Sequence, residues 1–186
     1  MSSSPLVYPV FAPQTPARWS IWLRAWLPVM TFSMVFAIES TTYFGADRTS
    51  APLQRVAEAI FGYDIGVYWD TIHHIIRKTG HFMAYGVFSL VCFRGFRLVL
   101  GNAATWLRSK LRAHALAILV TFLVASADEF HQTFLPNRDG TFSDVMLDTC
   151  GAVALSLVFF LVMLAVERWR HNRTEASYGS QPAYVE

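Results

Sequence analysis

The sequence predicts an all-α integral membrane protein, a bundle of four short transmembrane helices with an amphipathic outer helix between the first and second. Three observations carry this. Of the 186 residues, 54% are hydrophobic and only 15% are charged, against about 25% in a usual soluble domain. The apolar residues gather into four runs, and the basic residues cluster at one end of each run. The same composition excludes a disordered chain and a coiled coil. Cys92 and Cys150 both lie inside apolar runs, so a disulfide framework or a Cys-based zinc site has nothing to build on, and both read as small packing groups.

A hydrocarbon core of about 30 Å takes about 20 helical residues. Thr149 to Val166 gives 18 residues without a charge, while Ala25 to Ile38, Phe82 to Phe93 and Ala115 to Ala127 give 14, 12 and 13. Taken singly, each shorter run also fits a buried soluble helix. Lys and Arg decide between the two, because cytoplasmic flanks of membrane helices carry the excess of positive charge. Arg18 and Arg24 precede the first run; Arg94, Arg97, Arg108, Lys110 and Arg112 crowd the connection between the second and third; Arg168, Arg170 and Arg173 follow the fourth. With four crossings and both termini inside, ten of the 15 basic residues are cytoplasmic and ten of the 13 acids fall outside or near the outer ends. The expected spans are 22–41, 78–98, 113–132 and 144–166, in a membrane domain covering 18–171. Trp19, Trp22, Trp26, Trp106 and Trp169 fit an aromatic belt at the inner interface.

Residues 1–17, polar and holding four prolines, lack the features of a signal peptide and read as a disordered cytoplasmic lead. Residues 172–186 read as a cytoplasmic tail of the same character. In the outer connection, Leu53, Val56, Ala57, Ile60 and Phe61 recur at helical spacing, with Gln54, Arg55 and Glu58 on the other face. Pro52 suits a first helical turn and Gly62 an end. This helix either lies flat in the membrane interface or packs against the bundle, and Tyr68 to Arg77 reads as a second such segment.

Drawn at membrane length, all four helices bring polar groups to one outer layer: Glu39 from the first, Lys78 and His81 from the second, Asp128, Glu129 and Gln132 from the third, Asp144 and Asp148 from the fourth. His74, Lys78, His81 and Tyr85 form one stripe, and Asp128 with Gln132 and Asp144 with Asp148 share faces at i, i+4. Charges facing lipid cost roughly 2 to 4 kcal/mol each near the helix centre, so these stripes should turn onto one another around a pocket open to the outside. Arg138, at the tip of the short third connection, either neutralises the carboxylates below it or clamps an anionic ligand. Tyr85 suits a helix-to-helix hydrogen bond, His131 a loop or interface contact, and His73 and His114 the surface.

These residues resemble the VanZ-like family of small bacterial membrane proteins. The resemblance rests on Lys78, His81, Phe82 and Tyr85 in the pattern KxxHFxxY, and on Asp128-Glu129-Phe130-His131-Gln132 followed by Pro136, Arg138, Gly140, Asp144 and Gly151. It covers roughly Trp69 to Leu157, the first helix agreeing in hydropathy alone. Two positions depart: Arg77 precedes the lysine where the family is often acidic, and Asp148 stands where Asn is common, which makes the site more acidic than usual. The resemblance implies a bacterial envelope protein in the cytoplasmic membrane; the founding member is linked to low-level resistance to the glycopeptide teicoplanin, and the family has no agreed reaction.

Two functional classes fit. In one, an envelope enzyme acts on a lipid-linked or amphiphilic substrate, with Asp128, Glu129, His81 and Asp144 as acid/base candidates and Lys78, Arg138, Gln132, Asp148 and Tyr85 holding the substrate. In the other, a non-catalytic binder captures a glycopeptide-like ligand or cell-wall precursor. Against both stands a structural reading, in which the charges are an ion-pair cluster tying the helices together. No cofactor is expected; clustered oxygens also suit Mg²⁺ or Ca²⁺, but no ligand spacing is diagnostic. Besides the lipid bilayer, no macromolecular partner is implied, and nucleic acid is not expected.

Overall fold

The computed structural model describes residues 18–62, 64–101, 105–136 and 138–179. The expected disordered lead, residues 1–17, lies outside the described residues. The chain forms five helices, α1 (Arg18–Glu39), α2 (Ala46–Phe61), α3 (Trp69–Leu100), α4 (Trp106–Gln132) and α5 (Phe142–Gly179), with 3₁₀ turns at Thr42–Phe44 and Gly66–Tyr68. No strand occurs among the described residues. Four helical stretches, Arg18–Glu39, Gly66–Leu100, Trp106–Gln132 and Phe142–Glu175, are long and apolar enough to cross a membrane. The protein is an all-α multi-pass membrane bundle.

Its burial pattern is that of a protein solvated by lipid. Leu27, Met30 and Met34 of α1, Leu119 and Leu123 of α4, and Leu157, Val158 and Leu161 of α5 are exposed on the outside, while small and polar side chains sit within. Without a hydrophobic force between helices in lipid, close backbone approach does the packing. Gly151 of α5 is the sharpest case: a Cβ there would fall 2.1 Å from the Phe82 carbonyl oxygen of α3. Beyond it, Ser89 and Ser156 share a buried hydrogen bond of 3.1 Å between the same two helices. Central α3 packs on α1, α4 and α5, and α4 packs on α5. The end of α1, the start of α3, the end of α4 and the start of α5 meet at one end of the bundle.

Several expected boundaries shift. The helices are not all short: α3 has 32 residues and α5 has 38, about 48 and 57 Å at 1.5 Å per residue, well beyond a core of about 30 Å. Residues 69–77 therefore belong to α3 itself instead of forming a separate amphipathic segment, and residues 172–179 of the tail continue α5. Helix α2 starts at Ala46, so Pro52 lies inside it. Gly62 does end it, in the left-handed conformation at φ 74°, with its N–H bonded to the Glu58 carbonyl at 2.8 Å. Trp69 ties α2 to α3 by donating to Ser50 Oγ at 2.7 Å. Leu53, Val56, Ile60 and Phe61 remain exposed, so the apolar stripe is not buried against the bundle.

Three side chains expected elsewhere are displaced. His73 is buried and stacked on Trp69 with ring centroids 5.6 Å apart. His114 is buried too, stacked on Phe93 at 4.0 Å. Cys92 is buried as expected, but Cys150 is exposed.

Candidate functional site

The site end of the bundle brings the expected polar stripes face to face. Lys78 of α3 pairs with Asp144 in the first turn of α5. One turn further along both helices, His81 Nδ1 faces Asp148 Oδ2 at 3.8 Å. That separation is beyond a hydrogen bond, and neither Asp148 oxygen has a hydrogen-bond partner among the described residues although the residue is 1% exposed. On the other flank of α3, Tyr85 donates to Asp128 Oδ2 of α4 at 3.1 Å, and Gln132 Nε2 donates to the same oxygen at 3.2 Å. The Tyr85 ring is fixed from α1 by Phe36, stacked at 4.4 Å and 20°.

The connection from α4 to α5 folds back onto its own origin. Glu129, 5% exposed, accepts the backbone N–H of Thr141 at 2.8 Å. The loop can lie this close only because residue 140 is glycine: a Cβ there would fall 2.0 Å from the Glu129 carbonyl oxygen. The same fold carries Arg138 across the end of α1, where its Nη2 donates to the carbonyls of Glu39 at 2.9 Å and Thr41 at 3.0 Å. A cation at a helix C-terminus satisfies carbonyls that lack an intrahelical partner. Arg138 Nη1 reaches Gln132 Oε1 at 3.5 Å. Burial lowers its pKa, Arg77 adds to the effect, and Asp128 and Glu129 oppose it; a guanidinium remains charged throughout.

Two adjacent cavities open among these groups. The smaller, ≈ 220 Å³, lies toward α1 and is lined by Phe36, Glu39, Ser40, Tyr85 and Asp128 among others. The larger, ≈ 380 Å³, lies toward α5 and is lined by Lys78, Glu129, Thr141, Asp144 and Asp148 among others. Arg77, His81, Gln132 and Arg138 line both. Every residue singled out in the polar layer therefore lines this divided space, and its size reaches the lower range of small-ligand pockets. Among the described residues, no group of three or more His, Cys, Asp or Glu side chains is arranged to hold a metal ion.

Sequence reasoning missed some of the walls. Arg77 registers in the sequence only as a departure from a family pattern, yet it lines both cavities. Thr141 contributes through its backbone, which carries no side-chain signature. His131, off the Asp128 face as expected, shares a 3.2 Å hydrogen bond with Ser40 of the α1 terminus.

Compared with known proteins, residues 21–164 match the model of the VanZ/LLP1 family. The chain belongs to the VanZ/LLP1 family. The match extends the resemblance from the motif-bearing helices to α1, so all four candidate spans of this VanZ-like protein lie wholly or largely within it. No curated protein and no solved structure matches the chain.

Proposed function

We propose that this VanZ-like protein stands in the bacterial cytoplasmic membrane with both termini cytoplasmic, and that its site engages the anionic head of a lipid-linked or amphiphilic envelope compound on the outer side. The asymmetry of Lys and Arg supports the orientation. Lys78 and Arg138 supply cations for the head group, with Gln132 and Tyr85 orienting Asp128. His81 beside Asp148 supplies an imidazole able to carry a proton, and Asp128, Glu129 and Asp144 complete the acid/base set. A link to glycopeptide susceptibility follows the founding member of the family.

The observation that carries this reading is the buried Asp148 carboxylate at the wall of the ≈ 380 Å³ cavity, which accepts no hydrogen bond among the described residues and faces His81 at 3.8 Å. A buried carboxylate that accepts no hydrogen bond is costly to hold, which is expected of a group retained for its chemistry and not for its contribution to the fold. A purely structural role, with the charges as helix ties, draws on the Lys78–Asp144 pair and the Glu129–Thr141 bond. The two part in a binding experiment on the purified full chain in detergent. A short polyprenyl phosphate should bind well above the matching uncharged polyprenol, and Arg138→Gln should remove the difference while circular dichroism stays helical. Equal binding of alcohol and phosphate would leave the structural role standing.

A further inference from the structure

At the opposite end of the bundle from the site, a groove of ≈ 590 Å³ runs between α3 and α5. Its walls are apolar, with Val87, Leu90 and Val91 on α3 and Phe159 and Met163 on α5, and its end is cationic, with Arg94, Arg97 and Lys110. No acidic residue lines it. Glu167 lies close enough to Lys110 to feel its charge but stands outside the groove.

We propose that this groove binds one anionic phospholipid, with the head-group phosphate held between Arg94, Arg97 and Lys110 and an acyl chain laid along α3. Register supports this. Val87, Leu90, Val91, Arg94, Arg97 and Leu98 recur at helical spacing and so share one face. From Val87 to Leu98 that face is about 16 Å long at 1.5 Å per residue, close to half of a core of about 30 Å, the depth of one leaflet. Basic pockets between membrane helices at the positively charged end are suited to anionic head groups.

The cations are held in place. Arg97 Nη1 donates to Ser109 Oγ at 2.6 Å, Arg94 Nη1 donates to the Arg24 carbonyl of α1 at 2.9 Å, and Lys110 Nζ lies 3.9 Å from the Trp106 ring centroid. A guanidinium carries five N–H donors, so the bond from Arg94 Nη1 to the Arg24 carbonyl fixes its fork without spending its capacity for phosphate. Arg108 and Arg112, at the same end, are exposed and do not line the groove. The proposal is independent of the site at the other end.

The test is native mass spectrometry of the full chain titrated with phosphatidylglycerol, phosphatidylcholine or glycerol phosphate. Phosphatidylglycerol should bind as one tight adduct, and R94Q/K110Q should weaken it about 10- to 30-fold. R108Q/R112Q, which removes equal charge outside the groove, should leave it within about twofold. Val87→Trp, at a side chain 40% exposed, should weaken the adduct by filling the groove, and it gives a reading even where the charge variant does not fold. Equal binding of phosphatidylcholine, equal loss in R108Q/R112Q, or full displacement by glycerol phosphate would each overturn the proposal.

Discussion

His81 and Asp148 stand 3.8 Å apart because Gly151, one turn along α5 from the aspartate, lets the α5 backbone lie against the Phe82 carbonyl of α3. The motif glycine and the motif histidine are thus parts of one arrangement: the first sets the helix spacing, the second uses it. Gly86 extends the contact, since a Cβ there would meet the Gly151 carbonyl oxygen at 2.9 Å.

Gly151→Ala places its methyl 2.1 Å from a backbone oxygen, so α3 and α5 must separate. Overpacking of this kind costs about 1 to 3 kcal/mol. Thermal unfolding in detergent should show a clear loss, and a melting temperature matching the parent chain would refute the close-approach account.

Glu129 fastens the start of α5 by accepting the Thr141 N–H. Removing that acceptor from a buried position should cost about 1 to 3 kcal/mol. Glu129→Ala should therefore melt lower than Glu129→Gln, which keeps an acceptor oxygen; the reverse order would show that the bond is not what holds the loop.

His114 is enclosed by Phe93, Phe159 and Phe160, with ring centroids at 4.0, 6.3 and 5.9 Å, and neither ring nitrogen has a hydrogen-bond partner among the described residues. An unmet donor or acceptor of this kind costs about 1 to 3 kcal/mol. His114→Phe should leave stability unchanged or raise it; a drop in melting temperature would mean that the imidazole has a partner.

The exposed stripe of α2 predicts a membrane-facing surface. Labels at Val56 and Ile60 in reconstituted protein should be quenched by lipid-borne quenchers, and labels at Arg55 and Glu58 by aqueous ones. Uniform aqueous quenching at all four positions would place the whole helix in water.

The fold class was legible because lipid demands long apolar helices, and a charge inside such a helix is conspicuous against them. Lys78, His81, Asp128, Asp144 and Asp148 stood out for that reason, and helical spacing alone put them on facing stripes. Helix ends were less legible: residues 69–77 mix Trp69, Asp70, His73 and Arg77, so hydropathy gives no sign that α3 has already begun. His114 follows three basic residues and reads as surface, yet the small side chains of Ala113 and Ala117, both fully buried, draw that stretch of α4 against its neighbours. The partners of Arg138 were invisible, because the carbonyls of Glu39 and Thr41 are main-chain acceptors that every residue possesses.

Replacing Asp148 by Asn, with unfolding temperature and polyprenyl phosphate affinity read on one preparation, separates a working site from a helix tie. The expected variant melts no lower than the parent, since it loses a buried charge without a hydrogen-bond partner, and binds at least about tenfold more weakly, because His81, 3.8 Å from Asp148, is no longer oriented toward the head group. A variant that melts far lower yet binds as tightly would assign Asp148 to the fold.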